Sequence, residues 1–157
     1  MAIEIERKFL VVGDRWRQQV TQTTTMKQGY LNSTPERTVR VRIAGDRAML
    51  TIKGKSQSLS RKEFEYEIPL SEAQDLIELC EQPIIEKTRH LYPYQGHTWE
   101  IDEFGGENAG LLVAEIELSR EDEAFAKPDW LGEEVSADQR YFNSALISNP
   151  YSQWKAE

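Results

Sequence analysis

Glu4, Glu6 and Lys8 stand at alternate positions of the opening segment I-E-I-E-R-K-F. In an extended chain alternate side chains share a face, so two carboxylates and an ammonium lie together while Ile3, Ile5 and Phe9 take the other side. The pattern recurs along the chain. Arg40 and Arg42 alternate in "RTVRVRIA", Lys53 ends "RAMLTIK", and Glu63 and Glu65 alternate in "KEFEYEI". Lys87 and Arg89 follow in "EKTRH", Glu100 and Asp102 in "TWEIDEF", and Glu115 and Glu117 in "AEIEL". A solvated strand face ordinarily mixes in Thr, Ser and Gln, and a sheet with one wet face and one core face is the common meaning of alternation. Here nearly every such position is ionisable, with acids and bases on different segments, which predicts a shared interior.

A charged interior is costly unless its groups are paired or bound to something. Arrays of Arg and Lys grip phosphate oxygens, Arg often through two parallel hydrogen bonds. Carboxylates with no histidine or thiol beside them are hard oxygen ligands suited to Mg²⁺ or Mn²⁺. Together these residue types describe a site for a polyphosphate chain carrying a divalent metal. The arginines stay protonated at any working pH and can hold but not exchange protons. Lys87 differs, because a buried lysine among positive neighbours can have its pKa lowered enough to act as an acid or base.

Eight segments read as strands: 2–11, 26–32, 36–44, 47–53, 62–69, 84–92, 98–104 and 111–118. The joins "AGDR", "GKSQSLS" and "PYQGH" are short and rich in Gly, Ser or Pro, so neighbouring strands are expected to pair as antiparallel hairpins. The fold expected is β-rich α+β, an eight-stranded antiparallel barrel forming a tunnel, since closure removes the sheet edges and leaves room for one small ligand. Flanking helices are expected at "SEAQDLIELC", opened by a capping box of Ser71 and Gln74, at "SREDEAF" after Ser119, and at "SADQRYFNSALISNP" before Pro150. A weaker one is expected at "DRWRQQV".

Composition bounds the alternatives. The chain has 157 residues, 39% of them hydrophobic, with no apolar run near membrane-spanning length and no leader pattern, so one domain over 1–157 in the cytoplasm is expected. Cys80 is the only cysteine, which excludes an internal disulfide or a cysteine zinc site, and its helical spacing with Ala73, Leu76 and Ile77 makes it a core thiol. The net charge of −8 argues against nucleic acid as partner. That mean hides a segregation: residues 1–62 carry 13 Lys and Arg against 5 Asp and Glu, and the remainder 6 against 22. His90 and His97 lack a partner at metal-ligand spacing and are read as surface or rim residues. Trp16, Trp99, Trp130 and Trp154 fall in different elements and are read as packing groups, and Arg140 as a solvated helix residue.

The chain also resembles the CYTH superfamily, the triphosphate tunnel metalloenzymes. "EIERK" matches that family's Glu-x-Glu-x-Lys signature, and "QGYL", "RVRI", "LTIKG", "EFEYEI", "EKTR", "EIDEF" and "AEIEL" follow in the order of its short bacterial members. The likeness runs from Glu4 to about Leu146 and implies a tunnel barrel that binds divalent metal and triphosphate-bearing substrates. Carried over by position, Lys8, Arg40, Arg42, Lys53, Lys87 and Arg89 look like phosphate grips. Glu4, Glu6, Glu115 and Glu117 look like metal ligands, with Asp102 as a further candidate. Glu63 and Glu65 match acidic tunnel positions that either meet substrate or orient the arginines. Tyr30 matches a tyrosine that can lie near the active-site lysine, and with Lys87 it is the expected catalytic pair, assisting the lysine's acid–base role.

The activity expected from the resemblance is metal-dependent hydrolysis of inorganic triphosphate, because the short chain shows no segment devoted to a base. Nucleoside or thiamine triphosphatase, the adenylate cyclase of the same superfamily, and a non-catalytic polyphosphate-binding module are the alternatives. The partner expected is the small-molecule triphosphate, with neither nucleic acid nor membrane, and a homodimer is admitted.

Overall fold

The computed structural model describes residues 3–154 and closes eight antiparallel strands into a barrel. The strands are β1 (Ile3–Val11), β2 (Gln22–Asn32), β3 (Arg37–Ala44), β4 (Arg47–Gly54), β5 (Ser60–Ile68), β6 (Ile85–Tyr94), β7 (His97–Phe104) and β8 (Leu112–Glu117). Around the barrel they run β1, β8, β7, β6, β2, β3, β4, β5, and β5 returns to β1 through Ile3↔Lys62 and Ile5↔Ser60. A tight turn at Gln95–Gly96, both at positive φ, joins β6 to β7 and suits the strand twist. A ninth strand, β9 (Leu131–Glu134), which the sequence pattern did not predict, adds to the far end of β1. One edge of β1 is thus shared: residues 3–5 pair with β5 and residues 9–11 with β9. Between them, Lys8 N–H donates to the Ser136 hydroxyl and Val135 N–H to the Lys8 carbonyl.

The barrel is inside-out relative to an ordinary domain. Its apolar residues point outward and are buried by the segments wrapped around it. On one side Phe9, Tyr92, Trp99, Ile101, Ala114 and Ile116 pack against Trp16 and Trp130 from the connecting segments, with Phe125 edge-on to Phe9 and Trp99. On another side α1 (Leu70–Leu79) lays Ala73, Leu76 and Ile77 on Leu31, Val41, Ile43, Ala48 and Leu50, and Cys80 is buried there as expected. Gly29 of β2 passes so close to this helix end that a Cβ would sit 2.7 Å from that of Cys80. Inward rows turn apolar at one end, where Leu10, Tyr30, Ile85, Phe104 and Val113 meet Val135, Tyr141, Leu146 and Ile147 of the C-terminal segment.

The helical expectations are corrected in part. α1 begins at Leu70, one residue before the expected cap; the carbonyl of Pro69 takes the N–H groups of Glu72 and Ala73, and no side chain caps it. Residues 119–122 bend and turn and 123–125 are irregular, with Glu123 taking the N–H and hydroxyl of Ser119 along with His97 Nε2 and drawing the segment into a compact loop. Residues 15–19 are a single 3₁₀ turn that inserts Trp16. The C-terminal segment forms a 3₁₀ turn at 139–141 and one short helix, α2 (Ala145–Ser148), in place of one long helix. Among the described residues no helix is long and apolar enough to cross a membrane.

Candidate active site

The inward rows enclose a cavity of about 240 Å³ whose lining includes seven basic side chains, Lys8, Arg40, Arg42, Lys53, Arg61, Lys87 and Arg89. Seven carboxylates join them: Glu4, Glu6, Glu63, Glu65, Glu100, Glu115 and Glu117. Strand register explains the meeting. β1 sets Glu6 opposite Glu117 and Lys8 opposite Glu115, while β7 sets Glu100 opposite Glu115, so one wall is acidic. Across the barrel, β3 carries Arg40 and Arg42 and β6 carries Lys87 and Arg89 on either side of β2.

On the acidic wall every lysine is surrounded by carboxylates. Lys8 Nζ donates to Glu6 at 3.2 Å and Glu115 at 3.1 Å. Burial alone would lower the Lys8 pKa, but Glu115 and Glu6 raise it, so this ammonium is locked in its charged form. Burial likewise opposes ionisation of Glu6, yet Lys8 holds its pKa at about 2. Lys53 Nζ lies 2.9 Å from Glu4 and 3.4 Å from Glu63. Burial raises the Glu4 pKa in spite of Lys53, and burial with Glu4 and Glu6 raises that of Glu117. Glu117 has no basic group within ion-pair distance among the described residues, so this wall carries negative charge awaiting a cation.

The basic wall has the opposite problem. Arg42 meets only a neutral partner, its Nε donating to Gln28 Oε1 at 2.8 Å, and burial with Arg40 and Arg89 lowers its pKa to about 9. Arg40 reaches Glu65 at 3.6 Å and the Thr51 hydroxyl at 3.2 Å, while its buried Nε has no acceptor. Asp102 is fully buried behind the cavity wall. It takes both Nε and Nη2 of Arg89 at 2.8 and 2.9 Å and Lys87 Nζ at 2.8 Å. Burial would raise the Asp102 pKa, but Arg89 and Lys87 hold it at about 2.

Lys87 is the outcome of that arrangement. Burial, Arg89 and Arg42 push its pKa down to about 7 against the pull of Asp102. Its Nζ donates to Asp102 Oδ2 and, at 2.9 Å, to Asn143 Oδ1 from the C-terminal segment. A neutral amine has two N–H groups for those two acceptors and one lone pair left for a proton. Gln28 Nε2 fixes the same Asn143 oxygen at 2.9 Å, so Gln28 connects Arg42 to Lys87.

The cavity therefore brings together Glu4, Glu6, Lys8, Tyr30, Arg40, Arg42, Lys53, Glu63, Glu65, Lys87, Arg89, Glu115 and Glu117. Asp102 stands apart, behind the lining, with both oxygens occupied by cations. Tyr30 is buried and opposite Arg40 in the β2–β3 register, without a hydrogen bond to Lys87. His90 is not at a rim: it is buried on the barrel's outside, against Trp16, between Thr23 and Glu103. Sequence reasoning missed Gln28, Asn143, Ser136 and Arg61. Gln28 lies on the inward row of the strand expected at 26–32 and is passed over because it is not ionisable, and Arg61 joins its row once β5 is extended by its first residues; the other two sit in a segment whose path alternation does not report.

The acidic wall fits a hard divalent cation by donor type, and burial, with neighbouring carboxylates behind it, makes Glu4 and Glu117 resist ionisation. In this structure Glu4, Glu6 and Glu115 face lysines, and among the described residues no three such groups are already gathered around a metal position.

A model of the CYTH domain matches residues 2–146. A curated relative from Acetivibrio thermocellus, named inorganic triphosphatase, is 49% identical over 156 residues, covering 99% of each chain. Another of that name, from Nitrosomonas europaea, is 37% identical over 147 residues, covering 91% of this chain and 95% of its own. Among solved structures, the crystal structure of an inorganic triphosphatase superposes with a TM-score of 0.67 at 35% identity, covering 94% of this chain and 95% of that one. A Pyrococcus horikoshii protein at 19% identity and a TM-score of 0.58, covering 76% of this chain and 81% of its own, shares the fold.

Proposed function

The chain belongs to the CYTH domain family, and on that premise we propose that it hydrolyses inorganic triphosphate to diphosphate and phosphate, with Mg²⁺ or Mn²⁺ as cofactor. The observation that carries the reading is one small cavity with an acidic wall and a basic wall. Phosphoryl transfer needs charge neutralisation and alignment more than covalent chemistry, and such a cavity supplies both.

Arg40, Arg42 and Arg89 bind phosphate oxygens; Arg42 and the unsatisfied Nε of Arg40 have donors to give without breaking an existing ion pair. Lys8 and Lys53 turn from their carboxylates toward the phosphate chain, which frees Glu4, Glu6 and Glu115 to join Glu117, unpaired among the described residues, as ligands. Held there, a divalent cation would supply charge neutralisation and lower the pKa of a bound water. Asp102 and Asn143 hold the Lys87 amine so that its lone pair can accept a proton from the attacking water at Nζ. Asp102 thus acts as a positioning residue for Lys87 and Arg89, and Glu63 and Glu65 do the same for Lys53 and Arg40. Tyr30, on the cavity wall, borders the same chemistry.

Phosphate release from inorganic triphosphate, ATP and thiamine triphosphate, each with Mg²⁺, with Mn²⁺ and with excess chelator, tests this directly. Triphosphate is expected to be the fastest substrate, chelator to reduce release to background, and the rate to be highest at alkaline pH. Release that survives chelation or favours ATP overturns the reading, and tight binding of triphosphate without release identifies a binding module instead.

A further inference from the structure

Five of the seven basic side chains in the cavity are held by carboxylates: Lys8, Arg40, Lys53, Lys87 and Arg89. Arg42 and Arg61 are not, among the described residues. Arg42 lies deep, on Gln28. Arg61 lies at the hairpin joining β4 to β5, its Nε donating to the Gly54 carbonyl at 3.2 Å and its Nη2 to the Thr38 hydroxyl at 3.4 Å. Both acceptors are neutral, so no carboxylate offsets the guanidinium and N–H groups are left to donate.

Its position continues a line. The inward row of β3 runs Arg42, Arg40, Thr38, and at Thr38 the basic sequence stops. Arg61, reaching across from β5 to the Thr38 hydroxyl, supplies the cation that β3 lacks at that level. Ser56 and Ser58 of the same hairpin also line the cavity, and neither hydroxyl has a protein partner among the described residues. The hairpin is a closed turn, with Gln57 and Ser60 exchanging backbone hydrogen bonds at 2.7 and 3.1 Å and Ser58 at φ +58°. A guanidinium with two hydroxyls on a pinned turn is a donor set for a tetrahedral oxyanion.

We propose that Arg61, Ser56 and Ser58 form an outer phosphate subsite that takes the fourth phosphate of a linear polyphosphate whose first three occupy the inner grips. This rests on reading the cavity as a phosphate-chain site, and it makes Arg61 a chain-length determinant. Triphosphate leaves the subsite empty; tetraphosphate fills it.

Calorimetric binding of tripolyphosphate and tetrapolyphosphate to wild type and to Arg61→Gln, without metal and then with Mg²⁺, tests the subsite apart from turnover. Loss of a charge-assisted contact is expected to weaken tetraphosphate about tenfold and triphosphate less than about twofold, with Arg61→Lys restoring part of the difference. Ser58→Ala gives a second, smaller loss confined to tetraphosphate. Equal weakening of both anions, or of neither, overturns the subsite. Absence of triphosphate hydrolysis by the wild type overturns the proposed activity while leaving this binding difference to stand or fall by itself.

Discussion

Lys8 and Lys87 are buried in the same cavity and are driven to opposite states. Lys8, among Glu6 and Glu115, has its pKa raised and is a permanent cation. Lys87, among Arg89 and Arg42, titrates near 7. Burial penalises both charges; the neighbours decide the sign. One wall of the cavity therefore stores negative charge that a cation can claim, and the other keeps an amine able to exchange a proton at ordinary pH. The difference follows from strand order, which puts β8 beside β1 and places β6 one strand from β3.

The sharpest way to break this comparison is to exchange roles. Lys87→Ala is expected to lower the saturated rate by roughly 10² to 10⁴ and to remove the rise in rate as pH passes through about 7. Lys8→Ala should leave that pH dependence in place while weakening substrate and metal binding. If both variants keep the same pH profile as the wild type, the two lysines are not chemically distinct. The same asymmetry has a stability side. Because the folded-state pKa of Lys87 lies below the ordinary 10.5, the unfolded chain binds more protons between about pH 7 and 10.5, and stability contributed by this group rises across that window. For Lys8, raised above 10.5, the contribution is fully present below 10.5 and is lost only as pH climbs through its folded value.

A smaller effect is expected on the acidic wall. Glu115→Gln and Glu117→Gln keep side-chain size and remove charge, and each should weaken divalent-metal binding by about tenfold to a hundredfold with the fold intact, read by metal titration and circular dichroism. Glu115→Gln should additionally lower the Lys8 pKa, since Glu115 contributes most to raising it. Unchanged metal affinity and rate in both variants would remove the acidic wall from the mechanism. Smallest is Arg42→Ala, expected to raise KM about tenfold with kcat nearly kept when measured below its lowered pKa of about 9, where this guanidinium is a charged grip.

Much of this arrangement was legible in the sequence because strands report their faces at a period of two. Glu4, Glu6 and Lys8 sit on one row, and so do Lys87 and Arg89, whatever the barrel's curvature. Alternation does not report depth. Asp102 shares the row of Glu100, yet one lines the cavity and the other lies behind it under Arg89 and Lys87. Nor does it reach segments held by tertiary contacts alone. β9 is a strand because β1 offers it an edge, and Asn143 meets Lys87 because Leu146 and Ile147 anchor its segment in the barrel's apolar end. Arg61 was missed by one residue of strand boundary, since β5 starts at Ser60.

The shared edge of β1 also dictates the order in which the molecule can be made. Residues 3–5 find their partners at residues 60–62, but residues 6–11 must wait for β8 and β9, beyond residue 111. Closing such distant pairs is slow, since the loop entropy is spent before the contacts form. The Glu6–Glu117 and Lys8–Glu115 pairs exist only after that last closure. A nascent chain lacking about its final fifty residues is thus expected to present β1 without β8 and β9, its charged row facing water and its apolar face uncovered by Phe125 and Trp130, and so to be inactive and in need of that last closure before it stops exposing sticky surface.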